Sequence, residues 1–240
     1  MLHQGRFFWR FGSFWHGFTE LKSKNNKCID VKQKSRVDNF KFRKVREVGA
    51  CKALRTQRYL RMRKIKNKEL QRMDTEAFKV SKKIPWVIVL DNVRSMYNVG
   101  ATFRTADAFR IEKIILTGIT AQPPHREIHK SALGATDSVS WEYLSEPMIA
   151  LEQLRSVGYQ IIGIEQADQS VALDTFQPDL NKKYAFFFGN EVFGITDQVI
   201  SNVDVCLEIP QFGTKHSLNI SVSVGMVIWD IFQKIGRPLL

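Results

Sequence analysis

Three features of this 240-residue sequence predict an α/β domain built on a mostly parallel sheet flanked by helices. Short, nearly unbroken apolar runs recur, with WVIVL at 86–90, KIIL at 113–116 and AFFF at 185–188, as expected of strands covered on both faces. Segments of helical period stand between them. Several runs end in a polar turn bearing glycine or proline, and in such sheets ligands gather beyond the carboxyl ends of the strands.

Taken in order, residues 1–61 alternate aromatic clusters with Lys/Arg-rich stretches and hold no sustained helical or strand period. They read as a basic aromatic extension. Either it is an RNA-binding arm, disordered until bound, or it lies upstream of a true start at Met62. Residues 64–83 have the spacing of a basic amphipathic helix with Leu70, Met73, Ala77 and Phe78 on one side. A domain of residues 84–240 follows. Within it the pattern gives a strand at 86–90, a helix at 98–109, a strand at 113–116 and a proline-bearing loop with Pro123 and Pro124. Next come a helix near 147–157, strands at 160–164, 185–188 and 205–209, and a final helix at 217–235.

Net charge +12 suggests an anionic partner. Residues 1–61 hold 16 basic and 4 acidic residues, while 62–240 hold 20 of each, so the excess sits entirely in the first quarter of the chain. Charge is therefore no argument that the remainder binds nucleic acid. Cys28, Cys51 and Cys206 are far apart, which speaks against a zinc site or disulfide framework and for a reducing cytoplasm. Arg6, Arg10 and His16 interrupt the N-terminal aromatic cluster, so it does not read as a secretory signal. No run is long enough to span a membrane.

Common nucleotide-binding loops are excluded next. No two glycines lie two residues apart, so GxGxxG is absent. GNEVFGIT at 189–196 has Walker A glycine spacing, but Ile195 stands where the phosphate-binding lysine belongs. His125 and His129 are four apart without a third ligand, a weak sign of metal, and no metal is expected.

Three segments remain. NVRSMYNVGATFR at 92–104 offers Asn98 as a helix cap, Gly100 for close backbone approach, and Arg104 on the helix that follows. GNE at 189–191 is a polar turn after four apolar residues, and IPQFGTKHSLN at 209–219 leads from a strand into a Ser/Asn-capped helix. Singly, each has an ordinary explanation; Arg104 alone is better read as half of a structural ion pair.

In this order and spacing, however, NVRSMYNVGATFRTADAF, FFFGNEVFGI and IPQFGTKHSLNISVSVG resemble the three signature motifs of the SpoU/TrmH family, within the SPOUT superfamily of RNA methyltransferases. The resemblance runs from about residue 84 to 236 and also touches HKSALGATDSV. It implies a C-terminal trefoil knot and methyl transfer from S-adenosylmethionine, without metal, to a ribose 2′-hydroxyl of tRNA or rRNA. Its implied cofactor positions are Gly189, Ile209 and Leu218, with Asn190 and Pro210 beside them. Arg104 would act on the 2′-hydroxyl; because guanidinium is a poor base in water, stabilising the developing alkoxide is the easier role. Asn98, Glu191, Ser217 and Asn219 would complete the site by hydrogen bonding and orientation. The resemblance also implies a homodimer through the C-terminal helix, whose apolar residues cover most of its circumference and so predict burial on all sides. Rival readings are a base-methylating relative, a non-catalytic RNA-binding protein and, more distantly, a small-molecule methyltransferase. Residues 63–83, with eight basic and three acidic residues, are the expected RNA-facing helix.

Overall fold

The structure is a computed structural model that describes residues 63–240. The expectations for 1–61 and for Met62 lie outside the described residues. The elements run α1 (Thr75–Val80), β1 (Ile84–Asp91), α2 (Met96–Ala108), β2 (Ile111–Thr117), α3 (Arg126–Ala132), α4 (Ala135–Ser138), β3 (Ser140–Leu144), α5 (Pro147–Ser156), β4 (Tyr159–Ile164), β5 (Val171–Ala172), β6 (Lys183–Phe188), α6 (Asp197–Ile200), β7 (Val205–Glu208), α7 (Ile220–Ile231) and α8 (Arg237–Leu239).

The strands form one seven-stranded sheet in the order β3-β2-β1-β6-β4-β7-β5. Every pairing is parallel. Strand alternation divides the interior into two layers. Trp86, Ile88 and Leu90 of β1 join Tyr184, Phe186 and Phe188 of β6 on the face covered by α2, α3 and α7. Val87 and Val89 join Ala185 and Phe187 on the face covered by α5 and α6. Burial on both faces explains why the strand sequences read as continuous apolar runs rather than alternating ones. The α/β class with a mostly parallel sheet holds.

The N-terminal helix is a correction. Only a 3-10 turn at Asn67–Glu69 and the six-residue α1 form where a helix over 64–83 was expected. Gln71 takes a left-handed conformation, φ 46°, which interrupts the spiral. Of the four residues expected on the apolar side, only Phe78 is buried, while Leu70 and Met73 are 39% and 44% exposed. A helical period without an apolar partner leaves too little to stabilise a short helix in water.

Helix starts shift as well. Ser95, not Asn98, caps α2, its Oγ accepting from Asn98 N at 3.3 Å. Arg104 thus lies in the third turn rather than the second. The last helix begins at Ile220 with Asn219 as its cap, leaving Ser217 and Leu218 in the preceding loop, and it ends in a π turn at Phe232–Gly236. Its burial is one-sided: Val224, Val227, Ile228 and Ile231 are buried, but Val222, Met226 and Trp229 are 49%, 42% and 51% exposed.

Candidate active site

Adjacent strand ends bring the three sequence motifs together. β1 delivers the chain to α2, its neighbour β6 ends at Phe188 just before Gly189, and β7 ends just before Ile209. At their meeting point Glu191 accepts from the backbone N–H groups of Arg94 and Ser95, each at 3.0 Å, and from Asn98 Nδ2 at 2.9 Å. Asn219 Nδ2 in turn donates to Asn98 Oδ1 at 3.1 Å. Asn219 Oδ1 accepts from Ser221 N at 2.9 Å, capping α7. One hydrogen-bonded chain, Glu191–Asn98–Asn219, therefore passes through all three motifs. Burial pushes the Glu191 carboxyl up, but the bonds it accepts, from Arg94 N and then Asn98 first, outweigh this and hold it below the usual carboxylate range.

The loop that carries Glu191 is tied at every side. Asn190 and Gly194 exchange backbone hydrogen bonds at 2.8 and 3.0 Å. Asn190 is buried; its Nδ2 donates to Asn92 O at 2.7 Å, and its Oδ1 accepts from Val192 N and Phe193 N. The buried Asp91 carboxylate receives Thr196 N at 2.9 Å, and Glu165 receives Ile195 N at 3.1 Å. Gly189 packs against the returning chain so tightly that a Cβ there would lie 2.0 Å from the Gly194 carbonyl carbon. Glycine is required because backbone meets backbone.

Beside this loop a cleft of about 320 Å³ opens beyond the carboxyl ends of β4, β6 and β7. Gly189, Asn190, Glu191, Ile209, Ser217 and Leu218 all line it, together with Glu165, Gln166 and His216. Its volume sits at the low end of the range for small-molecule sites. Pro210, expected as a cofactor contact, is exposed and is not part of the lining. Asn98 and Asn219 stand behind Glu191 rather than on the cleft wall.

Arg104 is exposed on α2, six residues beyond Asn98 and so about 9 Å further along the helix axis. It makes no hydrogen bond or ion pair among the described residues. The structural ion pair that best explained a lone arginine is not formed. Its guanidinium is free for a ligand arriving from outside, and it does not line the cleft. Ser217 likewise has no hydrogen-bond partner among the described residues.

His125 caps α3 through Nδ1, accepting from Glu127 N at 3.2 Å, and no group of three or more metal-ligating side chains occurs among the described residues. Motif spacing did not flag Asp91, Ser95, Glu165 or Gln166. Asp91 did leave a trace, as a carboxylate closing an otherwise apolar strand; Glu165 and Gln166 lie outside any motif and left none.

The SpoU rRNA Methylase family model matches residues 85–229. The chain is 31% identical over 144 residues to the 23S rRNA (guanosine-2′-O-)-methyltransferase RlmB of Neisseria meningitidis, covering 60% of this chain and 56% of that protein. It is 26% identical over 149 residues to the tRNA (guanosine(18)-2′-O)-methyltransferase of Borreliella burgdorferi, covering 62% of this chain and 66% of that protein. Among solved structures it resembles the AdoMet-bound rRNA methyltransferase of Sinorhizobium meliloti, with TM-score 0.58 and 25% identity, covering 67% of this chain and 60% of that one. The chain spans a little over half the length of the rRNA relative it matches.

Proposed function

The chain belongs to the SpoU rRNA methylase family, and we propose that it transfers a methyl group from S-adenosylmethionine to a ribose 2′-hydroxyl of tRNA or rRNA. The observation that carries the reading is the Glu191–Asn98–Asn219 hydrogen-bond chain, which ties three distant segments into one preformed unit. Arg104 remains unpaired on the same helix.

The cleft fits the methyl donor in kind. Ile209, Leu218 and Phe188 supply apolar walls for an adenine, and Gly189 lets backbone come close. Gln166, Ser217 and Glu165 supply polar groups for ribose and amino-acid ends. When bound, S-adenosylmethionine supplies a sulfonium-activated methyl group. The chain's own residues must then deal with the nucleophile, because a ribose hydroxyl is un-ionised at neutral pH. Arg104 holds that hydroxyl and stabilises the negative charge that grows on its oxygen as its proton passes to solvent. Glu191, held ionised by its donors, fixes the start of α2 and with it the direction of Arg104. Asn98 and Asn219 orient Glu191 and the loop bearing Ser217 and Leu218.

The catalytic unit in this proposal is residues 84–240, with the basic stretch 63–83 available to RNA phosphates. Two further features are included. A trefoil knot is supported by the family membership and by the sharing of one cleft by the 189–195 and 209–219 loops. A homodimer is supported by the exposed apolar stripe Val222, Met226 and Trp229 on α7. Trp229→Glu should turn a dimer into a monomer in sedimentation experiments. A cytoplasmic setting fits the free thiol of Cys206.

The deciding experiment incubates the protein with total tRNA and rRNA and methyl-labelled donor, then digests the product to nucleosides. The label is expected on ribose. Label on a base would replace this reading with a base methyltransferase; none on any RNA would leave an RNA-binding protein. Arg104→Ala should lower kcat by about 10²–10³ while leaving donor affinity within twofold.

A further inference from the structure

A second cleft, of about 290 Å³, lies at the β3 edge of the sheet, between that strand, α3, α4 and the loop holding Pro123 and Pro124. Nothing in the proposed reaction uses it. Half of its lining is apolar: the two prolines, buried Ile128 and the indole of Trp141, which is partly buried against the core. The other half is polar: the His125 and His129 imidazoles, the Thr136 hydroxyl and the Asp137 carboxylate. Neither the His129 nor the Asp137 side chain has a hydrogen-bond partner among the described residues, and neither does the Trp141 indole N–H. His129 and Asp137 are exposed, so both are open to a ligand entering the cleft, and apolar surface beside a few polar groups is the usual form of a ligand site.

Its position links it to Arg104. Gly100, one turn before Arg104, packs so close to α3 that a Cβ there would lie 2.1 Å from Ser131 Oγ. Asp107, one turn after Arg104, accepts from Ser138 Oγ at 2.5 Å, and Ser138 follows Asp137 in the chain. Helix α3 is thus clamped to the helix that carries Arg104, and its residues Ile128 and His129 line the cleft.

We propose that this cleft binds a nucleobase of the RNA near the methylated ribose, with guanine preferred. The proposal rests on the RNA reading given above. A flat heteroaromatic ring stacks on Trp141, as bases splayed out of single-stranded RNA do on aromatic side chains. The Asp137 carboxylate accepts from the adjacent N1–H and exocyclic amine of guanine, a pair of donors that uracil, cytosine and adenine lack. His129 meets the base on its other edge. The site is a specificity determinant and has no part in the chemical step.

The test titrates the full chain separately with the 5′-monophosphates of guanosine, adenosine, cytidine and uridine, following the Trp141 indole N–H resonance, which is identified by its loss in Trp141→Phe. Guanosine monophosphate is expected to shift that resonance saturably and about tenfold more tightly than the uridine compound. Asp137→Asn should erase the preference. Asp137 and His129 are both exposed, so their variants are expected to fold. In methylation assays with total RNA, the double variant His129→Ala/Asp137→Asn should raise KM about tenfold, with kcat and S-adenosylmethionine affinity unchanged. An indole that ignores all four nucleotides, or a KM within twofold of the parent's, overturns the proposal. If the parent chain methylates no RNA, the enzymatic reading fails, and the nucleotide titration still decides the cleft.

Discussion

The two loops that enclose the first cleft leave parallel strands in the same direction, yet they are built in opposite ways. The loop at 189–195 is cross-tied by its own Asn190–Gly194 bridge and by Asn92, Glu165 and the start of α2. The loop at 209–219 is held only near its end, by Asn219, which caps α7 and donates to Asn98, and by the His216 carbonyl, which accepts from Gln166 Nε2 at 3.0 Å. Phe212 on that loop is 97% exposed. The difference teaches how such a site divides its labour. One wall is finished before any ligand arrives, so its geometry costs nothing at the moment of reaction. The other wall is open, and ligand contacts must complete it.

Glycine substitutions break the comparison most directly. Gly189→Ala forces a Cβ against the Gly194 backbone, with no side chain able to move aside, and should cost about 3 kcal/mol in denaturant unfolding as an overpacked site. Binding of S-adenosylmethionine should fall with it. A Gly189→Ala protein that melts and binds normally would refute the rigid wall. The next effect in size belongs to Glu191→Gln, and it depends on pH. The folded-state pKa of Glu191 is lowered, so the stability it contributes is fully present above its ordinary value of 4.5 and is lost as pH falls through the lower folded value. Melting curves of the parent and Glu191→Gln should therefore be well separated at neutral pH and draw together as pH falls below 4.5. A separation that stays constant throughout acid titration would show that the carboxylate's charge is not what its donors hold.

Asn219→Ala removes a helix cap and should cost about 1 kcal/mol, with a further loss in kcat through Asn98. Smallest of all, Gly213→Ala lies in the open loop with nothing within 4 Å of its Cβ, and should change stability by under about 0.5 kcal/mol. Amide exchange sharpens the same contrast without mutation. Added S-adenosylmethionine should protect amides at 211–218 strongly and those at 190–195 little. Equal protection of both loops would mean that the cross-ties do not preform the first wall.

Legibility in the sequence followed the physics of burial. Strands covered on both faces announce themselves, and β1, β2, β4, β6 and β7 appear within two residues of their expected ends. The half-exposed β3, with sequence SWEYL, and the two-residue β5 carry no such run and were not read. Helices α3 and α4 escaped notice because Leu133 and Gly134, both at positive φ, break one short stretch into two shorter ones. The opposite error at 64–83 came from a period that nothing in the described residues packs against, save Phe78. Asn98, Glu191 and Asn219, which share one hydrogen-bond chain, and Gly189, Ile209, Ser217 and Leu218, which line the candidate cleft, were all named through an ordered motif pattern. Their joining into one hydrogen-bonded chain depends on β6 lying beside β1, which no local pattern encodes.

That placement also sets an order of assembly. β1 pairs with β2 only a helix away, but its other neighbour, β6, begins almost a hundred residues later, with Trp86 opposite Tyr184. While the chain is being synthesised, the apolar run WVIVL must wait with one edge bare until AFFF emerges. Contacts of such long sequence separation slow folding. A bare, flat, apolar strand edge is also where chains stick to one another. A ribosome that stalls before residue 183 would therefore release a fragment poised to aggregate.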